Sequence, residues 1–263
     1  MRPGKDSKLK VLILAGGYGT RLSEETLSKP KPMIEVAGKP ILWHIMAHYA
    51  SYGFNDFVVL GGYKREYINN YFANYILLNN EITVELDTGK VTSLSRGNLD
   101  WKITVLETGK DSNTGTRIRN AARLITDDFL LTYGDGISDV DISALVEFHK
   151  SKGKLATLTA VQPPARFGAL KIEDETSTVS SFQEKPGGEE SWVNGGFFVL
   201  SREIFSEIKG ENPNFESQIL PKLALQNDLA AFKHHGYWQP ADTLRDTKKL
   251  ELDLESMDFR WLR

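Results

Sequence analysis

The sequence predicts an α/β fold, an open and mostly parallel sheet flanked by helices. Three observations carry this. Apolar runs of four to six residues recur along the 263-residue chain, the length and composition of strands buried on both faces. Stretches of helical periodicity lie between those runs. Glycine or another turn residue bounds each of them, as expected where strands and helices alternate.

Residues 11–14 read as the first strand. Residues 40–52 read as a helix with Pro40 in its first turn, apolar Ile41, Leu42, Ile45, Met46 and Tyr49, and Gly53 past its end. Residues 57–60 form the next strand, 65–74 a helix, 103–106 an extended piece and 117–125 a helix. Residues 129–133 are another buried strand that runs into Gly134-Asp135-Gly136, after which Asp141 caps a helix through residue 150. A strand at 155–161 completes a Rossmann-like, largely parallel portion. After Pro163-Pro164 the extended pieces shorten to 169–172, 179–182 and 195–200, which predicts a smaller, partly antiparallel β-rich portion. A helix over 243–256 closes the pattern.

Composition excludes several classes of function. No apolar run approaches the ~20 residues of a membrane helix, and a formal charge of −3 gives no reason to expect a nucleic acid or an anionic membrane as partner. The charge is uneven. Residues 1–40 carry eight basic against four acidic residues, a net +4, which leaves −7 in the remainder. With no cysteine, disulfides, thiolate nucleophiles and thiolate metal sites drop out, and a reducing cytoplasm is the expected compartment. Residues 1–9 are polar and basic without a secretory pattern and read as an arm. His44 and His48 have ligand spacing, but no Glu follows His44, so both read as packing residues. His234 and His235 point to opposite faces of any strand and make a poor joint metal site.

Leu14-Ala15-Gly16-Gly17-Tyr18-Gly19-Thr20-Arg21-Leu22 follows the first strand. Three glycines within four positions let the backbone approach a ligand and allow successive N–H groups to form an anion-binding nest. The Walker pattern fails because no Gly-Lys-Ser/Thr follows at its spacing; the dinucleotide fingerprint fails because Leu22 stands where its third glycine belongs. Arg21 lies just past the loop, and in Lys29-Pro30-Lys31-Pro32-Met33 the prolines restrict how the two lysines fold away. Cations beside a nest suit a polyphosphate; a tight turn and solvated lysines are the bland alternatives. Asp135, between two glycines at the end of an apolar strand, is the first candidate metal ligand, with a Gly-Asp-Gly turn as its alternative.

Gly16-Gly17-x-Gly19-Thr20-Arg21-Leu22 followed by Lys29-Pro30-Lys31-Pro32-Met33 resembles the signature of the sugar nucleotidylyltransferases. Thr132-Tyr133-Gly134-Asp135-Gly136, Ser181-Phe182-Gln183-Glu184-Lys185-Pro186, Asn194-Gly195-Gly196-Phe197-Phe198 and Trp238-Gln239-Pro240-x-Asp242-Thr243-Leu244-Arg245-Asp246 extend the resemblance over most of the chain. Residues 76–100 match it least. The resemblance implies transfer of a cytidylyl group from CTP to glucose 1-phosphate, giving CDP-glucose and pyrophosphate with Mg²⁺ as cofactor. It also implies a homo-oligomer, a hexamer. A sugar phosphate with a second pKa near ~6 is largely dianionic at pH 7 and needs no general base. The protein is left with alignment and charge neutralisation, which dominate catalysis of such transfers.

By the same resemblance, residues 10–161 serve mainly the nucleotide and 162–263 the sugar and oligomer contacts, within one unit. Leu14 to Thr20 and Gly134 hold the nucleotide, Arg21 sits on the departing β- and γ-phosphates, and Lys31 stabilises charge around the α-phosphate. Lys185 holds the sugar phosphate, with Glu184, Asn194, Gly195 and Gly196 at the sugar. Asp242 joins Asp135 as metal ligand, a role that competes with a helix N-cap. Thr108-Gly109-x-x-Ser112-x-Thr114-Gly115-Thr116-Arg117 resembles the cytosine-reading segment, with Ser112, Gly115 and Arg117 at the base. Thr116 replaces an expected glycine there, and Lys110 an expected acid, so a uridylyl- or thymidylyltransferase stays open. Asp139-x-Asp141 has the look of a metal-dependent glycosyltransferase motif and is the main rival. A non-catalytic nucleotide-binding subunit is a further alternative, which the presence of Arg21, Lys31 and Asp135 disfavours.

Overall fold

The structure, a computed structural model, describes residues 9–19, 28–93, 99–163, 169–173, 177–183 and 192–262. Thr20, Arg21, Glu184 and Lys185 lie outside the described residues, as does the expected arm except for Leu9, which packs against the core.

Seven strands form the central sheet: β1 (Val11–Ala15), β2 (Asp56–Gly61), β3 (Lys102–Glu107), β4 (Phe129–Tyr133), β6 (Ala156–Val161), β9 (Val193–Leu200) and β10 (Leu229–His234). Their spatial order is β10-β6-β9-β4-β1-β2-β3. All neighbours run parallel except β9, which is antiparallel to both β6 and β4. The mixed, mostly parallel sheet is the fold class that the alternating apolar runs predict. Of the three short extended pieces after Pro163-Pro164, two form a separate antiparallel hairpin, β7 (Ala169–Glu173) with β8 (Thr178–Gln183). The third widens into β9 and enters the middle of the main sheet.

Alternate residues of β1 divide between two cores. Val11, Ile13 and Ala15 face a cluster that includes Ile41, Leu42, Ile45 and Tyr49 of helix α1 (Ile41–Ser51). Leu12 and Leu14 face a cluster with Ile118, Phe198, Phe215 and, from helix α5 (Leu220–Leu225), Leu223. A strand covered on both faces has to be apolar throughout, which explains why this run does not alternate. Pro40 stands at the N-cap of α1 in extended geometry instead of inside its first turn. Helix α2 (Arg65–Ala73) falls within the span that periodicity suggests, whereas helix α3 (Thr114–Asn120) begins three residues earlier. Thr and Gly are poor helix formers, and this first turn is held by tertiary bonds to residues 210–216 described below.

Two features of the topology build a site. The parallel strands β1 and β4 end side by side, and the Gly134 N–H donates to the Leu14 carbonyl at 3.0 Å, so the glycine loop and Asp135 share one sheet edge. Because β9 runs the other way, its beginning, Asn194-Gly195-Gly196, arrives at that same edge, with Phe197 opposite Thr132. A two-stranded sheet then pairs β5 (Gly136–Ser138) with β11 (Trp238–Pro240), Pro240 opposite Gly136. The Ala241 N–H donates to the Asp135 carbonyl at 2.8 Å, which carries Asp242 to the side of Asp135.

Candidate active site

A cleft of about 510 Å³ opens at this edge. Residues 14–19 form one lip and 110–114 with Arg117 another; Lys31, Pro32, Tyr133, Gly134, Asp135, Asn214 and Asp242 complete the lining. Glycine is required at several points by close approach. A Cβ on Gly134 would come within 2.8 Å of the Leu14 carbonyl, and one on Gly16 within 2.2 Å of the Arg117 guanidinium. Gly19 adopts φ +66°, in the left-handed region that side chains disfavour. These constraints keep the loop thin enough for its N–H groups to meet a ligand.

Lys31 opens a 3₁₀ turn (Lys31–Met33) and is buried. Its Nζ donates to Asp135 Oδ2 and to Asp242 Oδ1, both at 2.7 Å. Burial alone would push the Lys31 pKa down, but the two carboxylates outweigh it and hold the ammonium above the ordinary lysine value. Thr243 takes the capping role that competed for Asp242. Its Oγ1 accepts from the Asp246 N–H at 3.2 Å while Asp246 Oδ2 accepts from the Thr243 N–H at 3.0 Å, a capping box at the start of helix α6 (Leu244–Ser256). Asp242 is therefore not the cap.

The donor set suits a magnesium ion bound together with a substrate. Mg²⁺ takes one or two carboxylates and completes its shell with water and phosphate oxygens. Asp135 and Asp242 converge on one point, and their side chains are 40% and 25% exposed toward solvent. Among the described residues there is no group of three or more His, Cys, Asp or Glu side chains that would cage a metal without a substrate.

The sequence profile of the family described as "Nucleotidyl transferase" matches residues 10–252. The chain belongs to that nucleotidyl transferase family. It is 49% identical over 245 residues to the glucose-1-phosphate cytidylyltransferase of Salmonella typhi, covering 92% of this chain and 95% of the relative. It is 43% identical over 240 residues to a Bacillus subtilis protein named "Probable glucose-1-phosphate cytidylyltransferase", covering 90% and 93%. The crystal structure of HddC from Yersinia pseudotuberculosis, at 24% identity, covers 94% of this chain and 99% of its own with a TM-score of 0.68, a likeness of fold.

In this nucleotidyl transferase the segment expected to read the base is clasped from behind. Asn212 Oδ1 accepts from the Asn113 N–H at 2.7 Å and from Thr116 Oγ1 at 2.9 Å, and Arg119 donates to the Gly210 and Glu211 carbonyls. Of the two departures from the family pattern, Thr116 therefore faces Asn212 and stands outside the cleft. Lys110 lines the cleft, with its Nζ 5.9 Å from the centre of the Tyr18 ring. Tyr18 Oη donates to Asp111, which joins the two lips.

Arg117 differs from its expected role. Its Nη1 donates to Thr108 Oγ1 at 2.8 Å and to the Gly109 carbonyl at 2.7 Å; its Nη2 donates to the Gly16 carbonyl at 3.0 Å and the Lys110 carbonyl at 3.1 Å. The guanidinium ties the glycine loop to the opposite lip, and any bond from these nitrogens to a base carbonyl requires exchange of one of these acceptors. Gly115 does not line the cleft. A Cβ there would meet the Pro213 carbonyl at 2.7 Å, so it serves close packing.

Asn194, Gly195 and Gly196 reach the right edge of the sheet but do not line the cleft themselves. Asn194 Nδ2 donates to Tyr133 Oη at 3.1 Å, and the Gly195 carbonyl accepts from Trp238 Nε1 at 2.8 Å. Gly196 has φ +82°, and a Cβ would sit 2.5 Å from the Tyr133 ring. Burial first, then the Glu216 carboxylate, raises the Tyr133 phenol above its ordinary pKa. Tyr133 thus stays protonated. The sequence assigns a role to neither Tyr133 nor Glu216; Tyr133 ends an apolar strand just before Gly134-Asp135-Gly136, and Glu216 has no motif around it.

The glycosyltransferase alternative loses both its aspartates. Asp139 Oδ1 lies 3.0 Å from His234 Nε2, and Asp141 accepts from the Ala144 N–H at 2.9 Å as the N-cap of helix α4 (Ile142–Lys152). Neither lines the cleft. His44 and His48 are buried, their Nε2 atoms 2.9 Å from the Val36 and Val140 carbonyls respectively, as packing residues.

Proposed function

We propose that this enzyme transfers the cytidylyl group of CTP to α-D-glucose 1-phosphate. A phosphate oxygen of the sugar phosphate attacks the α-phosphorus, the bond from that phosphorus to the β-phosphate oxygen breaks, and pyrophosphate leaves as CDP-glucose forms. The observation that carries the reading is the convergence of Lys31, Asp135 and Asp242 beside the glycine loop. The near-full-length similarity to a glucose-1-phosphate cytidylyltransferase selects CTP and glucose among the substrates that such a site can serve.

In this reading residues 14–20 cradle the triphosphate with backbone N–H groups, and Lys31 offsets charge that builds on the α-phosphate. Arg21 holds the departing phosphates and Lys185 the sugar phosphate, with Glu184 and Asn194 at the sugar hydroxyls. Ser112 and the backbone of the lip at residues 110–114 read the base edge, which offers both a donor and acceptors. Asp135 and Asp242 would hold Mg²⁺, which supplies positive charge to the triphosphate oxygens when bound. Residues 10–161 serve chiefly the nucleotide and 162–263 the sugar. A homo-hexamer in the cytoplasm completes the proposal.

The test is pyrophosphate release over a grid of CTP, UTP, dTTP and GTP against several sugar 1-phosphates with Mg²⁺. The highest kcat/KM is expected for CTP with glucose 1-phosphate. Silence in every well would sink the transferase reading, whereas a preference for UTP or dTTP would remove only its cytosine part.

A further inference from the structure

Glu216 belongs to no motif that the sequence singles out, yet its two carboxylate oxygens serve two different walls of the cleft. Its Oε1 accepts from Tyr133 Oη at 2.8 Å and its Oε2 from Thr114 Oγ1. Tyr133 Oη in turn accepts from Asn194 Nδ2 at 3.1 Å, and Asn194 Oδ1 accepts from the Gly196 N–H at 2.9 Å. Thr114 and Tyr133 both line the cleft. An unbroken chain of hydrogen bonds therefore runs from the lip that faces the nucleotide to Asn194 and Gly196 in the first half of β9.

Three features make this chain stiffer than an ordinary staple. Its centre is a carboxylate, and bonds to an ionised acceptor are about twice as strong as neutral ones. Glu216 is carried on a π-helical turn (Phe215–Ile219), a distortion of the helix that is frequent at functional sites. The Tyr133 ring also has no slack toward β9, because it fills the space that a Cβ on Gly196 would take. A shift of Thr114 that carries Glu216 with it is passed to Tyr133 and on to β9.

We propose that Glu216 is a positioning residue that couples the nucleotide lip to the sugar side through Tyr133, so that occupation by one substrate presets the wall the other meets. The proposal rests on the functional reading above, which supplies the two substrates.

The experiment is calorimetric titration of glucose 1-phosphate into the full-length protein with Mg²⁺, with and without a CTP analogue whose α,β-bridging oxygen is a methylene. In the wild type the analogue is expected to tighten glucose 1-phosphate by about fivefold or more, the scale of a modest coupling between sites. In Tyr133→Phe and Glu216→Ala that ratio falls toward one. Glu216→Gln retains most of it, since the amide oxygen still accepts from Tyr133 and the amide nitrogen can donate to Thr114. In steady state, Tyr133→Phe raises KM for glucose 1-phosphate about tenfold, the scale of one lost charge-assisted bond, while KM for CTP holds. A wild-type ratio near one, or a ratio in Tyr133→Phe equal to that of wild type, overturns the coupling. So does a lowered melting temperature in Glu216→Ala with the ratio intact, the signature of a merely structural bond. If Glu216→Ala does not fold, Tyr133→Phe decides. Wild-type protein that releases no pyrophosphate from CTP and glucose 1-phosphate overturns the functional reading itself, and the coupling with it.

Discussion

The Lys31 ammonium lies 2.7 Å from a carboxylate oxygen of Asp135, a residue 104 positions away, and both line the cleft. Its second carboxylate partner, Asp242, comes from the far end of the chain at the same distance. A cation shared by two acids in a cleft is well suited to exchange partners with a phosphate and a metal ion.

Replacement of Asp135 or Asp242 by Asn is expected to lower kcat by about a hundredfold or more, the usual scale for loss of a charge-stabilising group at a reaction centre. The Mg²⁺ concentration for half-maximal pyrophosphate release should rise in both variants. An Asp135→Asn variant with wild-type turnover would remove that residue from the metal site. Lys31→Met should lower turnover on a similar scale while costing only about 1 kcal/mol of stability, because Asp135 is open enough for solvent to screen the pair. Chemical denaturation of the variant measures that cost.

Gly16→Ala tests the bond between the lips. A Cβ at Gly16 would strike the Arg117 guanidinium, whose Nη2 donates to the Gly16 carbonyl. The expected outcome is a KM for CTP raised about tenfold or more, one lost bond to a charged group, with little change in KM for glucose 1-phosphate. Equal effects on both substrates would show that the loop does not belong to the nucleotide side.

The glycine loop, Lys31 and Asp135 were legible in the sequence because each sits in a short stretch whose spacing carries its own chemistry. Asp242 is legible only as a choice between cap and ligand; the neighbouring Thr243, with Asp246 three residues on, takes the cap and leaves the Asp242 carboxylate to Lys31. What local pattern does not encode is the pairing of β11 with β5, which alone brings Asp242 to Asp135. The start of α3 is not legible because Thr114, Gly115 and Thr116 have low helix propensity and the turn depends on Asn212 and Pro213, about a hundred residues downstream. Glu216 left no signal for the same reason: its partners Thr114 and Tyr133 are assembled by the sheet, not by the sequence around it.

Stability should fall as the pH drops from about 6.5 toward 4. Burial pushes His48 from the ordinary 6.5 down to about 4, against a smaller opposing effect of its bond to the Val140 carbonyl. The unfolded chain therefore binds a proton in this window that the folded chain refuses, and His48 contributes its full share above pH 6.5. That share is about 3 kcal/mol by linkage from a shift of this size. Denaturation midpoints measured between pH 7 and 4 should decline, and His48→Gln should flatten the decline. His44 and His149, both lowered by burial, add to the slope in the same direction, so an unaltered slope in His48→Gln would assign it to them.

The two departures from the family pattern, Thr116 and Lys110, should have opposite consequences. Thr116 faces away from the cleft and donates to Asn212 at 2.9 Å, so Thr116→Gly is expected to leave the preference among CTP, UTP and dTTP unchanged. Its cost is stability, about 1–2 kcal/mol for a lost hydrogen bond and a glycine within a helix. Lys110 lines the cleft beside Tyr18, and its replacement by Ala or Asp changes the charge that an incoming triphosphate or base meets. Lys110→Asp should raise KM for every nucleoside triphosphate through like-charge repulsion, and any change in their ranking identifies the base as the group it faces. Kinetics of the two variants across the three nucleotides measure this directly. A shifted ranking in Thr116→Gly with an unshifted one in Lys110→Asp would reverse the assignment, and would mean that the orientation of helix α3, set by Asn212, governs the choice of base.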